Sequence, residues 1–332
     1  MRSLQPPPAF LFVLAQPESK QLLCEELGRE HPELHLAYSR PGLYTFKHAN
    51  GHFEPGFELR SVFARHYGFS LGRAENGAAV AALIEQSEAF QAKSTDSVHA
   101  EPTRATASSK APKVIVQVIA RDAGERRPRA SSDRIAQSRD AILRASDRFE
   151  AAAFPEPGDW VIDVVLPPDD AHEEPWFVGY HRHVGNRSPI PGSVIRKEPP
   201  PNAPSRAWAK LEEVLEWSSL PMRPGDTAVE IGCAPGGAVL SMINRGLHVI
   251  GVDPGAVDPE IGLHAKTIGA TFQHIQAPCA ALTRDQLPPK VDWLLSDANL
   301  APQVAIRYLA HWTKMLRPHL CGLIFTMKLN DQ

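Results

Sequence analysis

Apolar positions along this chain gather into three blocks, and within each the spacing switches between the period of a strand and that of a helix. The first block opens on the unbroken run FLFVLA at residues 10–15, which predicts a buried strand. A helical stretch, ESKQLLCEELGRE at 18–30, follows, and then two strand-like runs, LHLAYS and LYTFKH, parted by the turn signal RPG. These elements predict a small α+β unit over residues 1–88. The stretch QAKSTDSVHAEPTRATASSKAP is polar and has no apolar period, so residues 89–112 read as a linker.

The second block, residues 113–200, begins with the buried-strand pattern KVIVQVIA. Ile135, Ile142, Leu143 and Phe149 then recur at helical spacing and predict a helix from about Ser131 to Phe149. Two more strands, WVIDVVL and WFVGYHR, complete it, and prolines 189, 191, 199, 200, 201 and 204 mark an extended connection. The third block, residues 201–332, starts with the helix SRAWAKLEEVLEWS, with Ser205 as its expected N-cap. Strands and helices then alternate through TAVEIGC, GAVLSMINRG, HVIGVDP, ATFQHIQ, VDWLLSDA, APQVAIRYLAHWTKML and CGLIFTMKL. That alternation predicts an α/β, doubly wound parallel sheet of the Rossmann-like type.

Composition narrows the class without naming a ligand. Of 332 residues, 43% are hydrophobic and 22% charged, as in ordinary globular proteins, and 35 basic against 38 acidic residues give a net charge of −3. Any nucleic-acid surface must therefore be local. Cys24, Cys233, Cys279 and Cys321 lie far apart without a C-x-x-C pair, so neither a zinc site nor a disulfide framework is expected and a reducing cytosol fits best. AFLFVLA is too short for a signal peptide, and no apolar run is long enough for a transmembrane helix, so no membrane partner is expected.

The sharpest chemical signal is VEIGCAPGG at residues 229–237. Gly232 permits a tight turn after a strand, and Gly236 and Gly237 remove side chains where a ligand and a helix start approach the backbone. Glu230 stands two residues before the turn, and Asp253 closes the next strand where an acid accepts ribose hydroxyls. The dinucleotide fingerprint G-x-G-x-x-G needs a glycine at 234, but Ala234 stands there with Pro235 after it, which counts against NAD or FAD. By itself the turn is compatible with a mere strand-to-helix corner. With Asp253 it resembles the S-adenosylmethionine site of class I methyltransferases.

Methyl transfer to a hydroxyl requires a base or an electrostatic partner, because an alcohol must lose its proton during attack. Lys210 lies on the helix before the glycine turn, Asp297 ends the strand in LLSDANLAP, and Lys328 ends the next strand in FTMKL. Lys210 falls off the Trp208, Leu211 and Leu215 stripe, and a lone lysine there is ordinarily a solvated charge. The case for chemistry rests on the three together.

PSRAWAKLEE, EIGCAPGG, LLSDANLAP and FTMKL, in that order, resemble the FtsJ-like ribose 2′-O-methyltransferases, and most closely the ribosomal large-subunit RNA methyltransferase M family. The resemblance is specific over residues 204–328 and only architectural before them. It implies a Lys-Asp-Lys-Glu tetrad whose first three members are Lys210, Asp297 and Lys328. It also implies a ferredoxin-like N-terminal unit, an RNA-capturing THUMP-like middle unit, and S-adenosylmethionine as cofactor. The implied cofactor contacts are Glu230, Gly232, Cys233, Ala234, Pro235, Gly236, Gly237, Asp253, Gln276 and Asp297, with no metal. The implied substrate is a cytidine ribose of large-subunit (23S) rRNA in bacterial cytoplasm. Two departures stand against the family pattern. The sequence shows no counterpart of the tetrad glutamate or of a last helix and two strands, and IQAPCA offers only Gln276 where relatives place an acid. The competing expectation is accordingly a catalytically impaired RNA-binding protein or fragment with a methyltransferase fold. A methyltransferase acting on a small molecule or protein is a further alternative.

Local positive charge gives the expected RNA surface. Between Arg104 and Arg148 there are 11 basic against 5 acidic residues, and the run HRHVGNRSPIPGSVIRK has no acid. Arg126, Arg127, Arg129, Arg182, Arg187, Arg196 and Lys197 are the expected phosphate contacts, all within the middle unit. Trp176, Phe177 and Tyr180 read more readily as core than as base-stacking residues, and alternation is taken to put Trp176 and Tyr180 on opposite faces.

Overall fold

The computed structural model describes residues 8–54, 56–87, 90, 111–124, 127–152, 154–185, 187–218 and 220–328. The chain divides into two compact units, Met1–Val194 and Ile195–Gln332.

The first unit is built on one seven-stranded sheet. Its strands are β1 (Phe10–Leu14), β2 (Leu34–Arg40), β3 (Leu43–His48), β4 (His66–Ala74), β5 (Val114–Ala120), β6 (Trp160–Leu166) and β7 (Trp176–Arg182), in the order β2-β3-β1-β4-β7-β6-β5. Only β5 and β6 pair in parallel, with α3 (Ser132–Ala145) between them in sequence. Strand alternation divides the apolar residues between the two faces. Leu11 and Val13 pack with Leu23 and Leu27 of α1 (Lys20–Glu30), while Phe12 and Leu14 join Ile119, Val165 and Phe177. Ile142 of α3 and Val80 and Ile84 of α2 (Gly77–Gln86) cover Val116, Ile162, Val164 and Val178.

Several expectations are corrected here. β4 and α2 lie where no element was predicted: glycines 68 and 72 and a bulge between Ser70 and Gly72 break the alternation of β4. β4 pairs with β7, so the stretches 1–88 and 113–200, read as separate units, contribute strands to one ladder and share one core. The expected linker lies outside the described residues except for Ala111 and Pro112. α3 stops at Ala145 because Ser146 is extended at φ −157°, and Phe149 reaches the core from the turn beyond it. Trp176 and Tyr180, four residues apart, share a face and pack in the same core, whereas Phe177 packs on the other face.

On the same face as Phe177, the buried residues His66, Asp163 and His181 form a cluster whose donor types suit a metal. Each Asp163 oxygen is hydrogen-bonded to one imidazole nitrogen, His66 Nε2 at 2.9 Å and His181 Nδ1 at 2.7 Å. Burial pushes this carboxyl up, but the two histidines prevail and hold it well below the usual carboxylate range.

The second unit is the predicted parallel sheet. Its strands β8 (Thr227–Ile231), β9 (His248–Val252), β10 (Phe272–Ile275), β11 (Trp293–Ser296) and β12 (Gly322–Phe325) run in the order β10-β9-β8-β11-β12, all parallel. α4 (Ala207–Ser218) and α5 (Gly237–Asn244) pack through Leu211, Val239 and Met242 onto Ala228, Val249 and Leu295. Val229, Ile231 and Leu294 point the other way, against Trp312 and Leu316 of α7 (Pro302–Leu316). The helix α6 (Pro259–Thr267), capped by the Asp258 side chain, lies where no helix was predicted. This unit begins at Ile195, so Arg196 and Lys197 belong to it and not to the unit carrying the other expected RNA contacts.

Candidate active site

Three glycines let three segments converge at the carboxyl end of β8. Gly232 has φ +82°, and a Cβ there would fall 2.7 Å from Ala298 Cα. Gly236, at φ +114°, caps α5, and its Cβ would lie 2.1 Å from Ile261 Cδ1 of α6. At Gly237 a Cβ would meet Ser205 Oγ at 2.3 Å, just ahead of α4. Protein packing, rather than a ligand, fills the space nearest these missing side chains. What the glycines leave available is backbone, including first-turn amides of α5 that lack intrahelical acceptors. Ser205 Oγ accepts the Ala207 amide at 3.3 Å, close to its expected capping role.

Asp253 stands at the end of β9, held by two amides: Ala234 N donates to Oδ2 at 3.1 Å and Gly255 N to Oδ1 at 2.7 Å. The glycine turn and Asp253 are thereby fixed to one another. Cys233 is buried with its sulfur towards Gly251, and burial pushes its thiol up strongly, so any ligand contact there is through backbone. Pro235 follows a cis peptide bond and its carbonyl accepts the Asp258 amide at 3.0 Å. Gln276 is exposed, and its amide nitrogen donates to the Pro254 carbonyl at 3.3 Å, beside Asp253.

Glu230 is 2% exposed, and its Oε2 is buried without a hydrogen-bond partner. Burial first, then the charges of Asp297 and Asp253, hold this carboxyl well above its ordinary range. It lines a cavity together with Lys210, Asp297, Ser296 and Thr326. Ser296 and Thr326 were missed from the sequence; Thr326 N bonds Ser296 O at 2.8 Å, and the two line the cavity only because β11 and β12 pair.

The three residues proposed for chemistry meet. Lys210 Nζ donates to Asp297 Oδ2 at 3.1 Å, and Lys328 Nζ to Asp297 Oδ1 at 2.5 Å. Asp297 is pushed up by burial, but hydrogen bonds from Lys328 and Lys210 outweigh that and leave it below the usual carboxylate range. The side chain of Lys210 is 55% exposed and those of Lys328 and Asp297 are 25% and 20% exposed, so Lys210 is the member of the trio most open to solvent.

The expected RNA contacts are scattered. Arg126 lies outside the described residues. Arg127 makes a two-point ion pair with Asp170, Arg129 pairs with Asp122, and Lys197 pairs with Glu216. Arg182 sits over the Trp160 ring and Arg187 over Tyr67, while Arg196 is exposed. Among the described residues no helix is long and apolar enough to cross a membrane, and all four cysteines are free.

Residues 203–329 match the family of FtsJ-like methyltransferases. The ribosomal RNA large subunit methyltransferase M of Alkalilimnicola ehrlichii is 34% identical over 169 residues, which cover 46% of this chain and 43% of that protein. The protein of the same name from Halorhodospira halophila is also 34% identical over 169 residues, covering 50% and 44%. The chain thus spans less than half the length of these relatives. Among solved structures, TrmN from Thermus thermophilus aligns with 90% of this chain and 82% of its own at 15% identity, with a TM-score of 0.32 from which no shared fold is inferred.

Proposed function

We propose that this chain, which carries an FtsJ-like methyltransferase domain at residues 203–329, transfers a methyl group from S-adenosylmethionine to a ribose 2′-hydroxyl of large-subunit (23S) rRNA, at a cytidine. The observation that carries the reading is the Lys210–Asp297–Lys328 contact beside a cavity that is also lined by Glu230, whose Oε2 is buried without a partner. A buried carboxyl with an unbonded oxygen is costly unless a polar ligand group completes it, and this supports a cofactor that reaches Glu230. The amide-fixed Asp253 supports the same ligand through ribose hydroxyls, and the side-chain-free turn supports it through backbone. When bound, S-adenosylmethionine supplies an electrophilic methyl group.

The chain's own residues supply position and proton transfer. Asp297, at the end of β11, gathers Lys210 from α4 and Lys328 from beyond β12, and with both lysines charged the trio carries one net positive charge. Loss of the Lys210 proton leaves the Lys328–Asp297 pair neutral, so Lys210 is the member assigned to accept the hydroxyl proton. Lys328 keeps Asp297 balanced in that state and stabilises negative charge developing on the attacking oxygen. The first unit is read as the RNA-capturing part, with ferredoxin-like and THUMP-like portions sharing its sheet, working in a bacterial cytoplasm. The names of the relatives above support ribosomal RNA as the substrate class.

The test is transfer of labelled methyl to unmodified large-subunit rRNA, with the label mapped to its nucleotide. Label on a ribose, reduced at least ~100-fold by Lys210→Ala, is expected. Binding of RNA without any transfer would replace this reading with that of an RNA-binding protein.

A further inference from the structure

One end of the first unit's sheet gathers guanidinium groups of which only Arg121 belongs to a basic run of the sequence. Tyr38 and Arg40 of β2, Arg73 of β4 and Arg121, just past β5, line a single depression floored by Val165 and Phe177. β2 and β5 are opposite edges of the sheet, yet their ends meet. The contact is made by Gly42 in the β2–β3 turn, at φ +77°, where a Cβ would fall 1.7 Å from the carbonyl oxygen of Asp122. Only a glycine lets the hairpin tip sit this close to the chain after β5.

The charges in this depression are not balanced by the protein. Arg40 and Arg73 lie 5.3 and 4.8 Å from the Tyr38 ring centroid, and neither makes an ion pair among the described residues. Arg121 is 5% exposed; its Nη2 donates to Glu174 at 2.9 Å, but its Nε is buried without a partner. The nearby Asp122 is already taken by Arg65 and Arg129. Three arginines therefore face one carboxylate, and a buried guanidinium N–H is left unsatisfied. An oxyanion remedies both, since the guanidinium fork matches phosphate oxygens and the apolar floor strengthens each charge interaction.

We infer that this depression binds a phosphate group of the RNA backbone. The assignment of the phosphate to RNA rests on the reading of the substrate given above. It differs from the expected contacts at Arg127, Arg129 and Lys197, whose charges are committed to acids.

The experiment measures binding of a short single-stranded RNA to the full chain by fluorescence anisotropy over a salt series, for the parent and for the Arg40→Gln/Arg73→Gln double variant. Both residues are exposed, so the fold is expected to survive, and circular dichroism verifies it. Inorganic phosphate is titrated in parallel and followed by NMR at arginine Nε–H resonances. The site predicts that the variant binds RNA about tenfold more weakly, with a log K against log salt slope shallower by about 0.7 for each phosphate no longer neutralised. It also predicts that phosphate perturbs the parent more than the variant. Unchanged RNA affinity and slope would overturn the proposal. So would a phosphate response without an RNA effect, which would make this a site for a free anion. Methyl transfer is not read, so a chain that transfers no methyl yet loses RNA affinity in the variant retains this site and sinks only the catalytic reading.

Discussion

Glu230 carries a carboxyl that burial, and then Asp297 and Asp253, hold well above its ordinary value of 4.5. The folded chain therefore keeps this proton at pH values where the unfolded chain has released it, so this group's contribution to stability falls as pH rises above 4.5. Glu230→Gln removes that dependence. Without cofactor, the variant is expected to be more stable than the parent by at least ~1 kcal/mol near ~pH 7.5, the two converging towards ~pH 4, as read by urea unfolding. A difference that does not vary with pH would refute the assignment. At this scale the sequence conveyed the meeting of Lys210, Asp297 and Lys328 better than the environment of each. Asp297 and Lys328 were legible from their places at strand ends, because a parallel sheet brings the carboxyl ends of its strands together, whereas Lys210, on α4, was legible only in company with them. The unpaired oxygen of Glu230 and the inward sulfur of Cys233 were not, since burial of a particular atom depends on packing between elements distant in sequence.

Between elements, the contact of α2 with α3 depends on a residue without a side chain. A Cβ on Gly77 would fall 2.6 Å from the carbonyl carbon of Ala141 and 2.8 Å from the Ile142 nitrogen, both backbone atoms that cannot swing aside. Gly77→Ala is expected to destabilise the first unit by about 1–3 kcal/mol through this overpacking, although alanine is the better helix former. Chemical denaturation of the 1–194 unit would measure it, and a gain in stability would show that α2 is free to move away. This helix and β4 were the elements least legible beforehand. The stretch GAAVAALIEQ is short and nearly uniform in polarity, and two glycines and a bulge erase the alternation of HYGFSLGRA. The inner strands β8, β9 and β11 of the second unit were legible because they are buried on both faces and so read as continuous apolar runs.

For the molecule as a whole, the ladder between β4 and β7 has a consequence for how the chain comes into being. A ribosome releases β4 about 100 residues before β7, so during synthesis the edge formed by Phe69 to Ala74 waits without its partner. An open edge of this kind is a template for pairing with other chains. A product ending at residue 112 is accordingly expected to aggregate, while one ending at 194 is soluble and unfolds in a single step, as sedimentation and denaturation of the two would show. The first unit's sheet is therefore finished in an order its sequence imposes: β7, the last of its strands to be made, is the one that joins the early strands to the late ones.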